Sequence, residues 1–241
     1  MARYILIHGA YHGGWCWEEI EPRLTAAGHE VIAPNLPGMG PDATGENPSN
    51  LEEWAEFVAG LARSADGPAV LVGHSRGGIV ISRAAELAPE AVSHLVYVAA
   101  ILALPGETLT EAVLCGRKGV SLPPRTANKV SADGLTSRYV DPDMAARTFY
   151  NECSPEVAAA AFARLSPEPV SSMITPVVTT AERFGRVPRT YVECLRDNAL
   201  PIDVQRHMHA QQPCTVVTID TDHSPFYSAQ NKLTEILLAV A

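Results

Sequence analysis

The chain has no run of Lys or Arg longer than the pair Arg117-Lys118. With 18 basic against 27 acidic residues and a formal charge of −9, it lacks the clustered cations that a nucleic acid or an anionic membrane surface requires. Long apolar runs are missing too. The amino-terminal stretch Tyr4-Ile5-Leu6-Ile7 gives way at once to His8-Gly9, far short of a signal peptide's apolar segment or a membrane span. Cysteine is sparse: Cys16, Cys115, Cys153, Cys194 and Cys214 are odd in number and never spaced as CxxC. Neither a disulfide framework nor a zinc knuckle is expected from them, and a reducing, cytoplasmic setting fits best. Repeats and low-complexity segments are absent. The 17 Gly and 19 Pro are scattered through a chain that is 46% apolar and 19% charged, which excludes disorder, collagen and coiled coil. At 241 residues the expectation is one large globular domain, or one domain carrying an insertion.

What is present alternates in kind. Residues 3–7 read as a first strand, and residues 15–27 as a helix stopped by Gly28. Residues 30–33 form a second strand. Residues 51–65 form a helix whose Leu51, Trp54, Ala55, Val58, Leu61 and Ala62 recur at spacings of three and four behind the N-cap candidate Asn50. Strand 69–72 is continuously apolar, as a strand covered on both faces should be. Helix 76–87 and strand 94–101 follow, so the succession predicts a mostly parallel sheet flanked by helices, an α/β fold. From residue 104 to 186 the rhythm breaks at Pro123-Pro124 and between Pro167 and Pro169, with helical stretches near 141–150 and 155–165. This segment is expected to be an inserted, mostly helical cap on a core made of residues 1–103 and 187–241. The rhythm resumes with strand 189–194, helix 202–211, strand 215–219 and helix 228–240.

The sharpest chemical signal is Gly73-His74-Ser75-Arg76-Gly77, directly after a strand and directly before a helix. A nucleophile at such a turn is held in a strained conformation, and small residues on either side let strand and helix pass close to it. Ser75 then faces the positive end of the helix, and the Arg76 amide is free to donate to an oxyanion. A serine needs a base, because its hydroxyl is protonated at neutral pH. Chain order in this architecture leaves His207, His209 and His223 as candidates. His223 stands in the loop after the last strand, whereas His207 and His209 lie in a helix, as surface residues. The base needs a carboxylate to fix its tautomer. Asp197, just past strand 189–194, is preferred; Asp203, Asp220 and Asp222 are the alternatives. A second oxyanion donor is expected at the Ala10 amide, in the Gly-rich loop from His8 to Gly14, which lacks the Lys-Ser/Thr of a P-loop and the spacing of a dinucleotide fingerprint. Trp15 and Trp17 beyond it read as core.

These stretches resemble the α/β-hydrolases, and within them the small branch of plant methylesterases, hydroxynitrile lyases and bacterial esterases of similar build. The likeness runs through His8-Gly9-Ala10, Gly13-Gly14-Trp15, Ala27-Gly28-His29, Leu36-Pro37-Gly38, Gly73-His74-Ser75, residues 191–197 and Asp222-His223, and it is weakest in the cap. The resemblance implies an α/β-hydrolase fold with a Ser75, Asp197, His223 triad and an oxyanion hole from the Ala10 and Arg76 amides. Asn35 departs from the family's usual Asp before the Leu-Pro-Gly turn. Arg76 stands where many relatives carry an apolar residue, so its side chain is expected to pack or pair outside the site. Lyases of the branch tend to carry Thr where this chain has Gly9 and Lys where it has Ser224. Without that cation a departing cyanide has no electrostatic partner, which favours hydrolysis over the alternative of a hydroxynitrile lyase. A non-catalytic binding protein on the same frame is the second alternative.

The expected function is a serine carboxylesterase acting through an acyl-enzyme on a small to medium, largely apolar ester, with no cofactor and no metal. Tyr11, Leu102, Leu104 and Phe149 are the candidate substrate-binding residues; Leu109, Val113, Leu114 and Phe162 are further apolar side chains in or beside the cap. The expected partner is a small-molecule ester, not nucleic acid or membrane, and a homodimer is compatible with the chain although no residue pattern fixes an oligomeric state.

Overall fold

The structure, a computed structural model, describes residues 1–41, 43–46, 48–64, 66–115 and 127–240. Strand β1 (Arg3–Ile7) is followed by a short 3₁₀ turn at Gly14–Trp17, helix α1 (Glu21–Ala26), β2 (Glu30–Ile32), α2 (Leu51–Arg63), β3 (Ala69–His74), α3 (Gly77–Leu87) and β4 (Val92–Val98). Between β4 and the next core strand come α4 (Leu109–Cys115), β5 (Asn128–Val130), β6 (Thr136–Tyr139), α5 (Pro142–Phe149), α6 (Pro155–Ala163), β7 (Glu168–Pro169) and α7 (Ser171–Ile174). The chain closes with β8 (Arg189–Cys194), α8 (Ile202–Ala210), β9 (Thr215–Ile219), α9 (Pro225–Ser228) and α10 (Gln230–Leu238).

The core sheet has the order β2-β1-β3-β4-β8-β9, and each adjacent pair is parallel. Side chains alternate between its two faces, as the period of two demands. Ile5, Ile7, Leu71, Leu95, Tyr97 and Tyr191 pack with Trp54, Val58, Ile79, Val80 and Met208 of α2, α3 and α8. Their neighbours Tyr4, Leu6, Val70, Val72, Val96 and Val192 pack with Leu24, Leu233 and Leu237 of α1 and α10. Both faces are therefore covered, which is why the central strands read as continuous apolar runs. Because β1 and β3 are neighbours, with Ile7 beside Gly73, the loops that leave their carboxyl ends meet side by side. That junction positions the site.

Four expected boundaries shift for identifiable reasons. The helix expected over 15–27 is two pieces, since Pro22 in the first turn of α1 has no N–H to continue a helix from the preceding residues. The strand expected over 94–101 starts at Val92 and ends at Val98, where Ala99 turns with φ +43°. The last helix is interrupted at Ala229, which adopts φ −145°. Residues 168 and 169, expected in a turn, form β7, and Pro169 stands on an edge strand, where its missing donor costs nothing.

The segment 104–186 holds short helices and also the antiparallel sheet β5-β6-β7, which periodicity did not indicate: its strands run two to four residues, too short for an alternation to register. The expected Pro123-Pro124 turn and the Arg117-Lys118 pair lie outside the described residues. Among those described, no helix is long and apolar enough to cross a membrane. Asn50 caps α2 as expected, its side chain accepting from the Glu53 amide at 3.1 Å.

Candidate active site

Ser75 occupies the turn between β3 and α3 with φ +51°, a left-handed conformation that a serine adopts only when its surroundings hold it there. The holding bonds run to the end of β4 and the segment just beyond it: the Ser75 amide donates to the Val98 carbonyl at 3.2 Å, and the Ser75 carbonyl accepts from the Ile101 amide at 2.9 Å. The flanking glycines are required by space. A Cβ on Gly73 would lie 2.7 Å from the Gly77 carbonyl oxygen, and one on Gly77 would lie 2.7 Å from the Ile7 carbonyl oxygen.

His223 and Asp197 are brought together. Nδ1 of His223 lies 2.7 Å from Oδ2 of Asp197, and both side chains are buried. Asp197 is fixed in turn by the Ala199 and Leu200 amides, which donate to its Oδ1 at 2.8 and 2.7 Å, and by Gln205 Nε2, 3.3 Å from Oδ2. The alternative carboxylates are elsewhere. Asp203 is exposed, Asp220 pairs with Arg196 at the surface, and Asp222 turns its buried carboxylate to the Ser224 and Glu152 amides and the Ser228 hydroxyl. His207 is half-buried on α8, and His209, also half-buried, contacts Glu193. Ser75 and His223 line one cavity, although no hydrogen bond joins their side chains among the described residues; such contacts often tighten only when substrate binds.

The side chain of Arg76 both packs and pairs. Its guanidinium is buried, 4.2 Å from the centre of the Trp54 ring, with Nε 2.9 Å from Oε1 of Glu168 on β7. Burial lowers its pKa, and Glu168 opposes that shift. Three more buried histidines surround the turn. His8 donates through Nδ1 to the Gly9 carbonyl and accepts the Leu36 amide at Nε2; His12 contacts the Ala10 carbonyl through Nδ1 and the Tyr150 hydroxyl through Nε2; His74 Nε2 donates to the His223 carbonyl. Burial holds His8 and His74 well below the ordinary histidine range and His12 down to about 4, so all three are neutral at pH 7.

The cavity encloses about 350 Å³. Ala10, Tyr11, Ser75, Arg76 and His223 form its floor, and Leu109, Val113, Leu114, Phe149 and Met173 are among its apolar walls. Of the four substrate-binding candidates, Tyr11 and Phe149 line it and two do not. Leu102 is buried in the core beside α3 and α8, and Leu104 lines a different depression next to Phe184 and Pro188. The chain turns away from the site after Ile101, which carries both leucines off. Phe162 on α6 is half-buried against the core cluster that includes Ala145, Phe149 and Tyr150, and Trp15 and Trp17 are core as expected. Sequence reasoning passed over Gln205 and Glu168. The signal for Gln205 was a lone polar residue on the Val204/Met208 face of α8; Glu168 between two prolines offered none. Among the described residues, no group of three or more His, Cys, Asp or Glu side chains is placed to hold a metal ion.

Comparison with known proteins gives the family. The alpha/beta hydrolase family profile covers residues 4–234. Methylesterase 7 of Arabidopsis thaliana is 31% identical, with 99% of this chain and 96% of that protein aligned. The pyrethroid hydrolase of Sphingobium wenxiniae is 32% identical over 97% of this chain and 85% of its own length. The crystal structure of a pyrethroid hydrolase from Sphingobium faniae superposes with a TM-score of 0.85 at 28% identity, covering 99% of this chain and 96% of that one. With a six-stranded parallel sheet flanked by helices and a serine at the turn after its third strand, the chain belongs to the alpha/beta hydrolase family.

Proposed function

We propose that this protein is a cofactor-independent serine carboxylesterase that cleaves a small to medium, largely apolar carboxylic ester. The observation that carries the reading is the buried 2.7 Å contact between His223 and Asp197 at a cavity floored by Ser75. Relatives named methylesterase and pyrethroid hydrolase support it.

In this reading His223 Nε2 removes the proton from Ser75 Oγ as the oxygen attacks the ester carbonyl. Asp197 keeps the proton of His223 on Nδ1 and stabilises the imidazolium that forms. The negative charge on the former carbonyl oxygen is received by the amides of Ala10 and Arg76, neither of which has an acceptor among the described residues. His223 then protonates the departing alcohol, leaving an acyl-Ser75. Water enters, loses a proton to His223 and releases the acid. The apolar walls suit an uncharged substrate, and the Arg76 cation is neutralised by Glu168. Cyanohydrin cleavage is disfavoured: position 224 is Ser rather than a cation, and a Cβ at position 9 would come 2.9 Å from the Cβ of Ser75.

Residues 104–186 serve as a cap whose α4, α5 and α7 side chains wall the cavity, over a core of residues 1–103 and 187–241. The five cysteines are unpaired, which suits a reducing, cytoplasmic setting. The test is hydrolysis of p-nitrophenyl esters of graded acyl length by the wild type and by Ser75→Ala. The expected result is turnover that peaks at short to medium chains and disappears in the variant. A folded Ser75→Ala protein that keeps most of the activity overturns the reading.

A further inference from the structure

The Arg76–Glu168 pair is unusual for its position as well as its burial. Removing two charges from water is costly, and an apolar pair of similar volume is often as stable or more so. What these charges touch is the first loop. Arg76 Nη2 donates to the Gly9 carbonyl at 3.1 Å, alongside His8 Nδ1 at 2.9 Å. Glu168 Oε2 accepts the Tyr11 amide at 3.0 Å, while its Oε1 accepts from Ser172. The neighbouring groups are also engaged: the Ala10 carbonyl contacts His12 Nδ1 at 2.7 Å, and the Tyr11 carbonyl accepts from the Ser166 amide at 2.7 Å. Tyr11 itself sits at φ +63°, so the loop must be held in this shape.

The peptide between Gly9 and Ala10 is planar and trans, so its carbonyl and its N–H point in opposite directions. Fixing the Gly9 oxygen from one side therefore aims the Ala10 N–H to the other. Of the Ala10 and Tyr11 amides, only that of Ala10 is without an acceptor among the described residues, and Ala10 lines the cavity beside Ser75. We infer that Arg76 and Glu168 are positioning residues of the oxyanion hole, clamping the peptides on both sides of the Ala10 nitrogen. The inference rests on the esterase reading above. It also makes β7, on the cap side of the molecule, part of the apparatus that stabilises the transition state, since Glu168 lies 157 residues from the amide it holds. A donor aimed in advance acts on the charge that develops during reaction, so its loss falls on kcat and leaves ground-state binding alone.

The experiment compares wild type, Ser75→Ala, Glu168→Gln and the double variant Arg76→Leu/Glu168→Leu on one p-nitrophenyl ester. It also measures inhibition by an alkylboronic acid, whose tetrahedral adduct with Ser75 places an oxygen anion in the hole. Glu168→Gln is expected to lower kcat by about 10- to 100-fold with KM within about twofold, and to weaken boronate inhibition by the same factor. The double variant removes both buried charges together, so its melting temperature should stay at or above that of Glu168→Gln while its kcat remains low. Recovery of kcat together with melting temperature in the double variant, or kcat within twofold of wild type in both, overturns the positioning role. Wild-type turnover that does not depend on Ser75 overturns the esterase reading, and this inference with it, before any comparison of the other variants.

Discussion

Asp197 divides its two oxygens between different tasks. Oδ1 accepts two backbone amides, from Ala199 and Leu200, and Oδ2 faces His223. In an Asp197→Asn variant the carbonyl oxygen must stay with the two amides, so the new NH₂ is turned toward His223. Nδ1 of the imidazole is then forced to accept, its proton moves to Nε2, and the ring can no longer take the proton of Ser75. A loss of about 10³- to 10⁴-fold in kcat with little change in KM is expected, measured on the same ester panel. An Asp197→Asn enzyme within tenfold of wild type would remove this residue from the proposed triad. That Ser75, His223 and Asp197 gather at one cavity was legible in the sequence, because the strand-to-helix turn has a local pattern and the expected partners follow in chain order at strand ends. Glu168 and Gln205 were passed over: Glu168 meets an amide 157 residues away, which leaves no local spacing to read, and Gln205 showed only as a lone polar residue on the apolar face of α8.

At the scale of elements, α3 decides the geometry of the site. It leaves β3 so closely that Gly77 passes beneath β1, and a Cβ there would meet the Ile7 and His8 carbonyl oxygens at 2.7 and 2.9 Å. Backbone cannot yield as a flexible side chain can, so Gly77→Ala should destabilise by about 1–3 kcal/mol and displace the Ser75 turn. Chemical denaturation and kcat, measured together, check both consequences; a variant with wild-type stability would show that the strand and helix have room to part. The core strands were readable because burial on both faces makes them short apolar runs between helices of period 3.6. In the segment 104–186 the helices near 141–150 and 155–165 were readable too, but its sheet was not, because its strands are two to four residues long and β5 is wholly exposed, so burial imposes no pattern on it. The same reasoning explains Leu104: its place in the sequence beside the cap says nothing of which cavity it faces.

For the molecule as a whole, the histidines around the site tie stability to pH. His8, His12 and His74 each have a tautomer fixed by neighbours, and among the described residues the second ring nitrogen of His8 and of His74 has no acceptor for a further proton. Nε2 of His8 already accepts the Leu36 amide, Nε2 of His12 faces the Tyr150 hydroxyl, and Nδ1 of His74 is buried without a partner. Charging any of them would also set it near Arg76 or another histidine of the cluster. Their folded pKa values therefore lie below the value of about 6.5 they regain on unfolding. The sign follows: their contribution is fully present above pH 6.5 and is lost as the pH falls toward 4, because the unfolded chain takes up protons that the folded one refuses. For His12, held at about 4, this amounts to about 3 kcal/mol over the interval, and His8 and His74 act in the same direction. The window lies above the range in which the paired carboxylates Glu86 and Glu193 titrate, so the histidine share can be read separately. Denaturant unfolding at pH 7.5, 6.5, 5.5 and 4.5 should give a free energy nearly level above 6.5 and falling below it with a slope of more than one proton. A level curve down to pH 5 would mean that the folded cluster accepts protons after all, and that its tautomers are not fixed by the bonds that hold the first loop and the His223 carbonyl in place.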